Sequence, residues 1–265
     1  IESTNLGDAH AIWSANDGVF AFSWKYQGAA WLTKVQKYRP NGTSAGNNVG
    51  MVPTNTGSNY EPGSEDDCQL ASSGAYYGVA FQPNSGGPPC GTNTACLTVL
   101  DDSGLQVGSS FVPLSANMGI DNWLGVGGTG RGFIAMYTSG GSIDGSFVPL
   151  AGAGDVLVDG GIGQVGVDGG LPPLKTFSFS STASTGKIIS DAPDGAGGVG
   201  TVLLENDGAA FVYVTADGSK VYNEGAVISD GAATEVGVSN YHGSFVVSLF
   251  DGTTHAAQAS VSICP

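Results

Sequence analysis

Residues 199–215 read VGTVLLENDGAAFVYVT, and their reading decides the fold. An apolar run rich in Val and Leu reaches Asn206-Asp207-Gly208, and a second run, rich in Val, Phe and Tyr, follows at once. Asp-Gly between two such runs is a strong hairpin signal, because a tight turn between twisted strands needs positive φ, which Gly supplies without steric cost. Neither run repeats with the 3.6-residue period of an amphipathic helix, and both favour residues that suit a pleated surface.

Working outward, the first run has five counterparts: VFAFSW from Val19, YYGVAF from Tyr76, GFIAMY from Gly132, GQVGVD from Gly163 and SFVVSLF from Ser244. Their mean spacing is about 45 residues, the length of one four-stranded propeller blade. Second runs follow across turns, as in AAWLTKV, ACLTVL, KTFSFS and AFVYVT, and third runs follow in LQVGSSFVPL, GSIDGSFVPL and KVYNEGAVIS. The string SFVPL occurs at 110–114 and again at 146–150, which points to duplication. The sequence therefore predicts an all-β chain, a single β-propeller domain over residues 1–265 with about six four-stranded blades. Five blades, or two β-sandwich domains divided near Pro172-Pro173, are the alternatives. The last unit supplies TEVGVS, SFVVSLF and HAAQASVSI and lacks a fourth strand, which Ile1–Gly7 is expected to donate in closing the ring. Residues 41–67 are polar, carry no core pattern and read as a surface loop insertion.

Composition agrees with this architecture and narrows the partners. Of 265 residues 44 are Gly, too many for a helical protein, since an interior Gly costs a helix about 1 kcal/mol. Eight Lys and Arg against 23 Asp and Glu give a net charge of −15, so nucleic acid and anionic membrane surfaces are repelled. No apolar stretch is long enough for a membrane helix, and membrane insertion is not expected. Seventeen of the acids are Asp and nine of these precede Gly, among them Asp17, Asp144, Asp168, Asp207 and Asp251, which marks them first as turn residues. Calcium is the one cofactor this acidity suggests, although no D-x-[DN]-x-[DN]-G-x5-E loop is present and no metal ligands are assigned.

The four cysteines point to disulfides. Cys90 and Cys96 bracket a Pro- and Gly-rich stretch, GGPPCGTNTAC, which leaves Cys68 and Cys264 for each other. The two other connectivities stay open, and the spacings lack the short paired motifs of a zinc ribbon. Disulfides imply a secreted, surface-displayed or periplasmic protein. The start at Ile1 without Met suggests a processed or excised chain. Asn41-Gly42-Thr43 is a lone glycosylation sequon.

Motifs that carry chemistry are weak. Gly125–Gly130 and Gly195–Gly200 both match G-x-G-x-x-G, but each runs into a strand rather than the helix a pyrophosphate site needs. There is no G-x-S-x-G elbow, no H-E-x-x-H and no Walker loop, and His10, His242 and His255 have no ligand spacing. A propeller hydrolase cleaving polysaccharide or lactone would need two carboxylates across an axial pocket, with Asp17, Asp121, Asp168 and Glu235 as the candidates and Trp13 or Trp123 as a sugar platform. The aromatic residues give a better-supported expectation. Trp13, Trp24, Trp31, Tyr38, Tyr60, Tyr76 and Tyr77 crowd the N-terminal third, and Trp13, Trp31, Tyr38 and Trp123 are the candidate ligand-binding residues. The expected function is a non-catalytic extracellular binding module for a glycan or protein. The alternatives are the hydrolase and a structural subunit of a surface fibre or coat, with homo-oligomerisation as a partner expectation.

Overall fold

The computed structural model describes residues 6–14, 17–27, 31–45, 51–52, 68–81, 96–102, 112–114, 124–139, 142–150, 175–179, 187–193, 198–205, 208–216, 219, 221–229, 235–241, 244–250 and 256–262. They form five antiparallel sheets in which neighbouring strands follow one another along the chain. The first holds β1 (Leu6–Ser14), β2 (Val19–Gln27), β3 (Trp31–Tyr38) and β4 (Met51–Val52). The second holds β5 (Cys68–Ser73), β6 (Tyr76–Phe81), β7 (Cys96–Leu100) and β8 (Val112–Pro113). The third holds β9 (Leu124–Thr129), β10 (Gly132–Ser139), β11 (Ser142–Pro149) and β12 (Lys175–Phe179). The fourth holds β13 (Lys187–Pro193), β14 (Val199–Glu205), β15 (Gly208–Val214) and β16 (Val221–Ser229). The fifth has three strands, β17 (Glu235–Tyr241), β18 (Ser244–Phe250) and β19 (Ala256–Ser262). The architecture is a β-propeller.

Five of the six recurring runs are the second strand of a sheet: β2, β6, β10, β14 and β18. The sixth, GQVGVD, lies outside the described residues, between β11 and β12, which pair in one sheet. Five sheets are thus present among the described residues, the number of the five-bladed alternative. KTFSF, expected as the second run of the GQVGVD unit, is the fourth strand, β12, of the third sheet. The two SFVPL strings occupy different places, one at β8 and one within β11, yet Val112, Leu114, Val148 and Leu150 share one core. They differ in position within the blade and share a core. Leu6 and Gly7 belong to β1, opposite Tyr26 and Lys25, while the first five residues lie outside the described set. Met51 and Val52, within the 41–67 stretch, pair with Lys34 and Thr33.

Successive sheets pack through their first strands: β1 on β5, β5 on β9, β9 on β13 and β13 on β17. Inner strands this close leave no room for side chains. A Cβ on Gly128 would sit 1.7 Å from the Ser72 carbonyl oxygen, and one on Gly127 2.4 Å from the Val199 side chain. The Gly125–Gly130 match is therefore an inner strand and its turn. Farther out, one contact repeats from sheet to sheet. The second strand sends a residue back onto the sheet before it and offers the following residue to the sheet after it. Phe133 lies over Gly78 and Phe245 over Gly200, while Tyr77 shares a core with Ala21, and Val199 lies over Gly127 in the core that holds Ile134. Large side chains thus meet small residues, as close packing requires.

This pattern decides which faces are buried. Sheets two, three and four are covered on both sides, and the described residues of β6, β7, β9 and β15 are buried almost without interruption. Among the described residues, the first and fifth sheets are covered on one side. Val19, Ala21, Val35 and Lys37 are buried toward the second sheet, and Phe245, Val247 and Leu249 toward the fourth. Between the fifth sheet and the first, no strand packing comparable to the other four junctions occurs among the described residues.

Candidate functional site

The outer face of the first sheet is built by register. Trp13 stands opposite Phe20, and Phe20 opposite Tyr38, so one row crosses β1, β2 and β3 on a single face. Phe22 and Gln36, two residues along, lie on the same face. The Trp13 and Phe20 rings pack 4.8 Å apart at 60°, and Phe22 and Tyr38 meet edge-on at 5.6 Å. Trp13 is 48% exposed and Phe20 41%, whereas the residues matching Phe20 in other sheets, Tyr77, Phe133 and Phe245, are buried. Phe22, Tyr38 and Gln36 are half-buried. No described residue of the row is charged. A rigid, amphipathic aromatic strip of this kind can stack on a sugar ring or fill a protein interface.

Of the four expected ligand-binding residues, the register brings Trp13 and Tyr38 into one row. Trp31 opens β3 opposite Gln27 and is placed by its backbone alone, and Trp123 lies outside the described residues. Phe20 and Phe22 were missed. The signal for Phe20 was available, because an aromatic stands second in VFAFSW, YYGVAF, GFIAMY and SFVVSLF alike.

On the opposite face of the same sheet lies a polar cluster that ties it to the second. The Tyr77 hydroxyl donates to the Asp17 carboxylate, and the Lys37 ammonium donates to the side chain and the backbone carbonyl of Asp102. Lys37 is itself buried, with its Nζ 5.2 Å from the Tyr77 ring centroid. Asp17 is presented by a turn in which Gly18, at φ 63°, donates its N–H to the Ser14 carbonyl. Burial raises the Tyr77 hydroxyl well above the ordinary tyrosine value, and the bond to Asp17 raises it further. Tyr137, between the second and third sheets, is raised by burial too, while its bond to Ser146 pulls the other way. Both hydroxyls are neutral hydrogen-bond donors at ordinary pH, Tyr137 to the Leu114 carbonyl. This cluster is an inter-sheet tie.

Of the carboxylates proposed for axial hydrolysis, the two that are described, Asp17 and Glu235, stand apart. Asp17 sits where β1 turns into β2, whereas Glu235 opens β17 at the end away from its turn into β18. A strand of seven residues separates those ends, roughly 20 Å. Asp121 and Asp168 lie outside the described residues. Of the inner strands, β5 and β9 read CQLASS and LGVGGT, without a carboxylate, whereas β1, β13 and β17 carry Asp8, Asp191 and Glu235. Among the described residues no group of three His, Cys, Asp or Glu side chains could hold a metal ion. His10 lies in β1 opposite Ser23, and His242 and His255 lie outside the described set.

The cysteine register removes one connectivity. Phe81 of β6 stands opposite Cys68 of β5 on one side and Cys96 of β7 on the other. Two strand spacings, about 10 Å, separate Cys68 from Cys96, beyond the roughly 7 Å limit for a bridge. Cys90 and Cys264 lie outside the described residues.

No family model matches the chain, and no curated protein does. Among solved structures it is similar to the polysaccharide lyase Uly1, with 10% identity and a TM-score of 0.56 over 96% of this chain. The match spans 57% of the lyase's own length. The periplasmic gluconolactonase PpgL of Pseudomonas aeruginosa matches at 15% identity and a TM-score of 0.48, covering 98% of this chain and 69% of that one. TolB from Acinetobacter baumannii matches at 13% and 0.44, covering 94% and 52%. At these identities the likeness is one of fold. Among the described residues no helix is long and apolar enough to cross a membrane.

Proposed function

We propose that the chain is a non-catalytic extracellular binding module whose contact surface is the outer aromatic face of its first sheet, taking a glycan or a protein. The observation that carries this reading is the row Trp13–Phe20–Tyr38, uncharged and open to solvent where its counterparts are buried. The net charge of −15 opposes an anionic partner, most strongly at low salt. A glycan array and a pull-down, each with and without millimolar calcium, test it. Trp13→Ala should lower any capture at least tenfold, the size expected for removing an aromatic hot spot. Capture by the wild type that Trp13→Ala and Phe20→Ala both leave unchanged would refute it.

An axial hydrolase has less support, because Asp17 and Glu235 stand at opposite ends and β5 and β9 carry no acid. A secreted or periplasmic setting accompanies the proposal, with bridges Cys90–Cys96 and Cys68–Cys264. Non-reducing peptide mapping should return those two pairs, and four free thiols would refute them.

A further inference from the structure

The first sheet's aromatic face and the fifth sheet's outer face are the two halves of one junction, left unmade among the described residues. At the four junctions that are made, a residue of each following sheet packs toward an aligned residue of the sheet before it: Phe133 on Gly78 and Phe245 on Gly200, with Tyr77 in one core with Ala21 and Val199 in one with Ile134. By the same alignment Phe20 is a covering residue and Val246, next after Phe245, a receiver, and among the described residues no strand of the fifth sheet packs on the first. Val246 is half-buried and Ser248, on the same face, is exposed. A Cβ on Gly237, opposite Ser248, would meet no atom within 4 Å. In arrays of stacked repeats a terminal unit stays soluble by making its outer face polar. The fifth sheet does this in part, with Ser239, Ser244 and Ser248 beside Val246 and Phe250, whereas the first presents Trp13, Phe20, Phe22 and Tyr38.

We infer that the aromatic face of the first sheet receives the fifth sheet of a second copy of this chain, Phe20 seating on Val246 and continuing the sheet-to-sheet stacking from one molecule into the next. The contact is head-to-tail, so each copy keeps one free face of each kind, and assembly proceeds to a closed ring or a fibre. The inference rests on the reading of the aromatic face as a contact surface and names its occupant. It adds a receiver, the Val246 face, which a glycan site would not need.

Sedimentation velocity on the full chain from about 1 to about 500 µM tests it, since a contact of micromolar affinity lies inside that range. The wild type is expected to show mass rising with concentration. Phe20→Asp and Val246→Asp, each on an open face, are each expected to stay monomeric with unchanged circular dichroism. An equimolar mixture of the two retains one intact face of each kind and should form a one-to-one dimer and nothing larger. A wild type that is monomeric throughout the range overturns the inference, as does assembly that survives either substitution. A wild type that stays monomeric yet captures a glycan or protein in a Trp13-dependent way overturns the second-copy inference and leaves the binding module standing. Loss of both overturns both.

Discussion

At the scale of single residues, two kinds of group are under constraint, glycines where backbones or rings approach and tyrosines in polar ties. Gly78 lies under the Phe133 ring, where a Cβ would be 2.6 Å from a ring carbon, and a ring can shift. Gly128 faces the Ser72 carbonyl at 1.7 Å, and backbone shifts far less readily. Gly78→Ala should cost about 1–3 kcal/mol of stability, the usual range for overpacking, and Gly128→Ala more, as measured by urea unfolding. The tyrosines set the alkaline limit. Their folded pKa values lie above the unfolded ones, so the unfolded state releases protons first as pH rises. Stability is fully present below about pH 10 and falls above it, by up to about 1.4 kcal/mol per pH unit for each such tyrosine. Tyr77→Phe should flatten that fall by the share of one proton in unfolding curves between about pH 9 and 11.

At the scale of elements, strands and turns were readable because each second strand is an apolar run between turn residues, and five such runs became β2, β6, β10, β14 and β18. What the residues do not announce is strand position within a sheet. SFVPL occurs as part of a third strand and around a fourth, since periodicity reports which face is buried and not how far from the axis a strand lies. The site was half readable for the same reason. Trp13 and Tyr38 stood out as aromatic residues, while their union through Phe20 depends on cross-strand register, which the turns between β1, β2 and β3 set. The volume rule at the junctions can be tested between elements. Val199→Phe should destabilise by about 1–3 kcal/mol because Ile134 already fills its site, and adding Ile134→Ala should recover part of that loss, a coupling that a double-mutant cycle reads directly.

At the scale of the whole molecule, the charge of −15 opposes any meeting of two copies, while the aromatic face favours it. The two effects differ in range: charge repulsion is screened beyond about 8 Å at physiological salt, and apolar burial is not weakened by salt. Self-association should therefore strengthen as NaCl rises from about 10 mM to about 500 mM, and association that weakens instead would show that charge pairs hold the copies together. The central claim, that the first sheet's outer face lies open to a partner, is tested most directly by 19F NMR of the chain labelled with fluorotryptophan, kept dilute enough to be monomeric. The Trp13 resonance, assigned by its loss in Trp13→Phe, should broaden when a soluble paramagnetic agent is added. A Trp13 resonance that stays sharp in the monomer would mean that the face is already covered by the chain itself, and would contradict the account.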